Sequence, residues 1–192
     1  MSQVAELPRI TIEDYLEGEL SSPIRHEYLA GQVYAMAGAS ERHNRIAGNL
    51  FFQLRAAARG GSCGVFMSDM KIRVRGGERF YYPDVALVCD ATDQAEYYKD
   101  NPCLIAEVLS PATETTDRRE KWLAYQDLPA LRYYLLVNAV RPEIDYYQRS
   151  AEGGWLVGRL EPGETLEVEC DGYRAALRFE DIFEDVRWPA SD

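Results

Sequence analysis

Long apolar runs are missing from this chain. No stretch of about eighteen apolar residues occurs, so no segment is expected to span a bilayer. Cysteine is sparse and scattered. Cys63, Cys89, Cys103 and Cys170 form no Cys-x-x-Cys pair and no small secreted frame, so reduced, mostly buried thiols in a cytoplasmic protein are the expectation. The opening residues Met1-Ser2-Gln3-Val4-Ala5-Glu6 lack a basic patch followed by an apolar core, and no secretory signal is expected there. Internal repeats, low-complexity tracts, a P-loop and a G-x-G-x-x-G string are all absent. Only two histidines exist, His26 and His43. His26-Glu27 begins like H-E-x-x-H, but position 30 is Ala30, which excludes a zincin site. The Gly60-Gly61-Ser62-Cys63-Gly64 segment fits G-x-S-x-G with its context inverted, since it follows a helix pattern and precedes a strand. Both histidines also precede it, so it reads as a glycine-stopped helix end.

What is present describes a globular protein. Hydrophobic residues make up 46% and charged residues 28%, which argues against disorder and fibrous repeats. A chain of 192 residues buries roughly 70% of its unfolded surface and needs no staple to fold. One domain over residues 1–192 is expected, with 150–192 a β-rich extension. The net charge of −11 disfavours broad nonspecific binding of nucleic acid. That charge is uneven. Residues 41–79 carry eight bases (Arg42, Arg45, Arg55, Arg59, Lys71, Arg73, Arg75, Arg79) and three acids (Glu41, Asp69, Glu78), a basic zone of +5 in a chain otherwise at −16.

The element pattern is mixed α/β, with helices packed on a sheet. Thr11 with Asp14 starts a short helix that Gly18 and then Ser21-Ser22-Pro23 should end. Residues 25–29 and 32–37 read as a hairpin turning at Ala30-Gly31. Ser40 caps the strongest helix, whose face of Ile46, Ala47, Leu50, Phe51, Leu54 and Ala57 is apolar; Gly60-Gly61 stops it. Residues 65–75 alternate as one strand, with Asp69, Lys71 and Arg73 on one side, and 80–89 follow as another. Residues 103–109 read as a strand buried on both faces, and a helix runs from 116 or 117 to about 127. Strands at 133–138 and 143–149, short strands beyond 155 and a helical turn at 181–183 complete the pattern.

Glu107 is the most telling residue. It interrupts Leu104-Ile105-Ala106-Glu107-Val108-Leu109, where an unpartnered carboxylate costs several kcal/mol and must be neutralised, paired or bound to a cation. Asp84 has a similar setting in Tyr82-Pro83-Asp84-Val85-Ala86. Adjacent strands lie about 4.8 Å apart, so two such acids at matched heights can share one hard divalent ion, Mg²⁺ above all. Either acid alone is better explained by pairing with a buried Arg or capping a turn; both together are not. Asp117, Lys121 and Tyr125 follow at i, i+4, i+8 on the next helix, where Lys121 is either a surface partner of Asp117 or a positive charge beside a scissile phosphate. A lone His in the place of His43 is more often a satisfied core or cap residue than a base.

Pro83-Asp84, Glu107-Val108-Leu109-Ser110-Pro111, and Asp117, Lys121 and Tyr125 resemble the Uma-two family of endonucleases. Glu27 ahead of Gly31, His43 early in the long helix and Tyr134-Leu135-Leu136-Val137 match as well, from about residue 15 to 147. That family is a branch of the restriction-endonuclease-like superfamily, with the motif PD-(D/E)XK. The resemblance implies a restriction-endonuclease-like core and a phosphodiesterase dependent on Mg²⁺ (or Mn²⁺). Asp84 and Glu107 would hold the metal, with the Val108 carbonyl as a further ligand. The motif's Lys stands two residues after the Glu, a place taken here by Leu109; the resemblance implies that the charge comes from Lys121 instead. Glu27 would add an outer carboxylate, or pair with Arg25 or another base as a plain hairpin residue. Lys71 is a rival for the Lys role.

Two function classes follow. One is a metal-dependent endonuclease acting on nucleic acid, DNA ahead of RNA. The alternative is a non-catalytic module on the same fold that binds nucleic acid or protein. Arg42, Arg45, Lys71 and Arg73 are candidate phosphate contacts, although solvated helix and strand faces explain them equally well. No membrane partner is expected. A homodimer is expected by analogy with compact nucleases, through Phe51-Phe52, Tyr146-Tyr147 and Trp155.

Overall fold

The computed structural model describes residues 9–188. The opening six residues and residues 189–192 lie outside that range. The chain runs α1 (Ile12–Ser21), β1 (His26–Leu29), β2 (Gln32–Ala35), α2 (Glu41–Ala57), β3 (Gly64–Met67), β4 (Lys71–Val74), β5 (Arg79–Tyr81), β6 (Val85–Val88), β7 (Tyr98–Lys99) and β8 (Pro102–Leu109). A helical segment follows, made of α3 (Glu114–Thr116), a π-helical stretch (Asp117–Lys121) and α4 (Trp122–Tyr125). Strands β9 (Tyr133–Asn138), β10 (Ile144–Arg149), β11 (Trp155–Leu160), β12 (Thr165–Cys170) and β13 (Tyr173–Arg178) precede α5 (Phe179–Ile182). The mixed α/β class holds.

Three sheets form. One is six-stranded, in the order β11-β10-β9-β8-β6-β3; one is five-stranded, β2-β1-β5-β4-β7; the third is the ribbon β12-β13. Strand β8 sits inside the larger sheet, antiparallel to β6 and parallel to β9. A parallel pair needs a crossover, and the helical segment of residues 114–125 supplies it. Period-two alternation divides β8 between two cores. Leu104, Ala106 and Val108 pack with Ile46, Leu50 and Leu54 of α2 and with Val168 and Leu177 of the ribbon. Ile105 and Leu109 pack with Tyr125 and Tyr134 and with Ile72 and Tyr81 of the smaller sheet. Glu107 belongs by parity to this second face.

Local chemistry fixes most element ends. Thr11 Oγ1 accepts from the Asp14 N–H, and Ser40 Oγ accepts from the His43 N–H. Helix α1 continues through Gly18 to Ser21, past the glycine expected to end it. The hairpin turn takes positive φ at both Ala30 (49°) and Gly31 (96°), the handedness that matches strand twist.

Two expected long strands are broken in two. The residues read as one strand over 65–75 form β3 and β4, joined by a turn in which the Met70 N–H donates to the Met67 carbonyl. Those read over 80–89 form β5 and β6, separated at Tyr82-Pro83-Asp84, where Pro83 has no N–H for a ladder. Each break carries the chain from one sheet to the other, which period-two alternation alone does not reveal. Asp84 stands at the second crossing.

The four cysteines are paired, not reduced: Cys63 with Cys89 and Cys103 with Cys170, 26 and 67 residues apart in sequence. Strand register explains the first pair, since Gly64 lies opposite Val88 and extending the ladder by one residue brings Cys63 to Cys89. The second ties β8 to the ribbon. The apolar side chains expected to serve self-association are half-buried, apart from Phe52. Tyr147 and Trp155 pack around Trp122, and Phe51 and Tyr146 lean on the first core, leaving Phe52 exposed at 64%. Among the described residues no helix is long and apolar enough to cross a membrane.

Candidate functional site

Four carboxylates converge where the two sheets meet. Glu107 is 3% exposed on β8, and its Oε1 accepts from the Tyr125 hydroxyl at 3.0 Å and from Lys121 Nζ at 3.2 Å. Lys121, itself 6% exposed, also lies 3.0 Å from Glu27 Oε1 and 3.1 Å from Asp117 Oδ1. Its ammonium thus ties β1 of the smaller sheet to β8 of the larger one. Asp84 Oδ2 accepts from the Val108 N–H at 2.7 Å and faces His43 Nε2 at 3.2 Å. Continuing the β6–β8 register, in which Val85 opposes Ala106, brings Asp84 opposite Glu107.

The helical segment explains how Lys121 and Asp117 arrive together. Spacing of four residues keeps them on one side of the helix. The π-helical widening over Asp117–Lys121 disturbs the usual backbone pairing, and the Tyr134 hydroxyl donates to the Asp117 carbonyl at 2.9 Å. Tyr125, one α turn beyond Lys121, carries its hydroxyl down to Glu107.

The electrostatics are one-sided. Burial pushes the Glu107 carboxyl well above the usual carboxylate range; Asp117, Asp84 and Glu27 push the same way, and Lys121 pulls against them. Burial disfavours the Lys121 charge, yet Glu107, Glu27 and Asp117 outweigh it and hold the ammonium well above its ordinary value. The two directions are consistent: three acids face one ammonium and Asp84 stands nearby, so Lys121 keeps its proton and the excess charge favours a proton on Glu107. Burial likewise opposes charge on His43, but its bond to Asp84 and the nearby Asp117 raise it overall.

The donor set suits a hard cation. Hydrogen bonds to Asp84 fall on Oδ2 and those to Glu107 on Oε1, leaving Oδ1 and Oε2 without a hydrogen bond among the described residues. Two carboxylates with one free oxygen each, beside the Val108 backbone, match an ion that takes one or two carboxylates and keeps waters. Among the described residues no group of three or more His, Cys, Asp or Glu side chains stands ready to hold a metal, and the three acids around Lys121 are already occupied by its ammonium.

Other expected residues are placed differently. Lys71 points inward: it is buried and donates to the Tyr82 hydroxyl at 3.2 Å, so it is not an outward phosphate contact, and among the described residues no hydrogen bond joins it to Glu107. Arg73 is committed to a two-pronged pair with Asp100 at 2.7 Å per bond and stacks on Tyr98. Arg42 donates through Nε to the Ala139 carbonyl, and Arg45 pairs with Glu41. Both line a surface cavity of about 170 Å³ with Ser40, Glu41 and Arg187. In sequence Asp117 stands as a spacing partner of Lys121 and as part of the resemblance, without a role of its own; the fold makes it a full member of the cluster.

Comparison with known proteins places these features in context. The family described as "Uma2: Putative restriction endonuclease" matches residues 12–174. The uncharacterized protein slr1290 of Synechocystis sp. is 36% identical over 177 residues, covering 92% of this chain and 93% of that one. A second Synechocystis protein, the uncharacterized sll1609, is 33% identical over 172 residues, covering 88% and 97%. The crystal structure of a "putative nuclease belonging to DUF820" from Anabaena variabilis superposes with a TM-score of 0.71 at 16% identity, covering 91% of this chain and 97% of that one. At that identity the likeness speaks for the fold alone.

Proposed function

Because this chain belongs to the Uma2 family, we propose that it is an endonuclease dependent on Mg²⁺ or Mn²⁺ that hydrolyses phosphodiester bonds of nucleic acid, DNA ahead of RNA. One observation carries the reading: a buried excess of carboxylate at the meeting of two sheets, with Asp84 and Glu107 each keeping an oxygen free of hydrogen bonds. Asp84, Glu107 and the Val108 carbonyl would hold the ion. When bound there, the metal supplies charge neutralisation of the phosphodiester and a more acidic water. Lys121, held protonated, offsets negative charge that grows on the phosphorus oxygens. Tyr125 fixes the Glu107 carboxyl through its hydroxyl, and the Val108 N–H with His43 fixes Asp84. Glu27 and Asp117 hold the Lys121 ammonium in place. Arg42 and Arg45, on the first turns of α2 beside His43, contact flanking phosphates.

Cleavage of plasmid and single-stranded DNA by the pure chain, with Mg²⁺ or Mn²⁺ and then with chelator, tests this directly. Activity should require metal and vanish in both Asp84→Ala and Glu107→Ala. Cleavage that persists in both variants would remove the site from the reaction. The rival reading, a binding module without catalysis, draws on Leu109 at the motif's usual Lys place. Nucleic acid bound tightly without metal-dependent cleavage selects it. A homodimer belongs to the same proposal, and a light-scattering mass of one 21.9 kDa chain removes it. A cytoplasmic setting belongs to it only if both cysteine pairs are found reduced in cells.

A further inference from the structure

The surroundings of Lys121 Nζ are those of an ion more than of a side chain. Three carboxylate oxygens from three separate elements stand at 3.0 Å (Glu27, on β1), 3.1 Å (Asp117, on the π-helical stretch) and 3.2 Å (Glu107, on β8). An ammonium has three N–H groups to aim. Only the Glu107 contact has hydrogen-bond geometry, while Glu27 Oε1 and Asp117 Oδ1 are buried without any hydrogen bond. Asp117 is 2% exposed, so bulk water does not satisfy it. Two of the three oxygens are therefore held by charge and not by direction, a contact that a spherical cation satisfies equally well. All three are hard carboxylate oxygens, the donor class of Mg²⁺, Mn²⁺ and Ca²⁺.

We propose that Glu27, Asp117 and Glu107 form a cation pocket whose built-in occupant is the Lys121 ammonium, so that the chain takes one divalent ion, at Asp84 and Glu107, and shortening Lys121 opens a second site. This deepens the metal reading above and rests on it. A divalent ion entering the pocket beside the ammonium would meet like charge at contact distance, which keeps the second place closed in the native chain. Removing the ammonium leaves three buried carboxylates with no cation among them. The pocket then recruits one from solution.

The test is a Mn²⁺ titration of the full chain, read as bound metal per chain from the loss of the free Mn²⁺ electron paramagnetic resonance signal. The native chain should bind one ion, Lys121→Ala and Lys121→Ser two, and the double variant Lys121→Ala with Asp117→Asn one again. Two ions in the native chain, or one in the folded single variants, overturns the pocket and leaves the Asp84–Glu107 metal reading standing. No ion in the native chain overturns both. Should a single variant be unfolded without metal, Mn²⁺ should restore its folded far-ultraviolet circular dichroism, and a variant that Mn²⁺ leaves unfolded overturns the pocket.

Discussion

Two buried polar clusters lie in this molecule, built from the same residue types and balanced differently. In the first, on the smaller sheet, Glu19 is the central acid. Its Oε2 accepts from the Tyr82 hydroxyl at 2.8 Å and the His26 N–H at 3.2 Å, and its Oε1 meets His26 Nδ1 at 2.8 Å. Lys71 donates to Tyr82, and Tyr15 donates to the His26 carbonyl. One acid stands there with one histidine in contact and one lysine reached through Tyr82, and each oxygen of Glu19 has a partner. The second cluster also has one lysine and one histidine, but four acids, two of which present buried oxygens with no hydrogen bond. A satisfied network is a strut, whereas an acid-rich one is under strain that a cation relieves. The difference separates the part that holds the fold from the part that waits for a ligand. The clusters also touch the same chain segments, since Tyr82 and Asp84 share one crossing and His26 and Glu27 one strand.

Substitutions should break or sharpen that contrast. Glu107→Gln has the largest expected effect on activity: metal-dependent cleavage falls by about three orders of magnitude, the scale of several kcal/mol of lost charge stabilisation. Its thermal midpoint should hold or rise, because the amide oxygen still accepts from Lys121 and Tyr125 and cannot ionise in the buried site. A large fall in midpoint would mean that this cluster is a strut too. Glu19→Ala should do the reverse, lowering unfolding free energy in urea by about 3 kcal/mol, as expected when one partner of a buried charged network is removed. A loss well under about 1 kcal/mol would erase the distinction.

The pH dependence is a smaller effect with a definite sign. Glu107 is raised in the folded chain by burial and then by its acidic neighbours. Its contribution is complete below the ordinary carboxylate value and is lost as pH rises through the raised folded value. Metal-free native protein should therefore lose stability as pH climbs above that of an ordinary glutamate, and Glu107→Gln should flatten the curve. His43, also raised on balance, adds a further decline above its ordinary 6.5 that His43→Gln removes. Stability that grows with pH across this range would contradict both assignments. Smallest of all, Arg45→Ala should change stability by no more than about 0.5 kcal/mol, since its pair with Glu41 is exposed. If Arg45 contacts a phosphate, the same variant should reduce the salt dependence of nucleic-acid binding by about one unit of slope. An unchanged slope takes Arg45 out of the interface.

Much of this arrangement was legible before any coordinates. Glu107 announced itself because an acid inside Leu104-Ile105-Ala106-Glu107-Val108-Leu109 contradicts its own strand, and Asp84 did so after Pro83. The α2 helix and its Ser40 cap follow from apolar spacing and local side-chain chemistry. Lys71 misled, because alternation tells which residues share a side but not whether that side meets solvent or a second sheet. Spacing alone understates Asp117, because an Asp four residues before a Lys is common on exposed helices, and burial is a tertiary property. The cysteine pairs escape local patterning for the same reason, one being joined across sheet register over 26 residues and the other between sheet and ribbon over 67.

Local patterning determined which segments are helix or strand, where they are capped, and which acids are out of place in apolar surroundings. These are short-range consequences of side-chain shape and solvation. Only the tertiary structure decided that the chain crosses between two sheets at Pro83-Asp84, and that Glu27 from β1 and Asp117 and Lys121 from the helical segment gather at Glu107 on β8. Convergence depends on long-range packing, and the charge state of each group depends on neighbours far away in sequence.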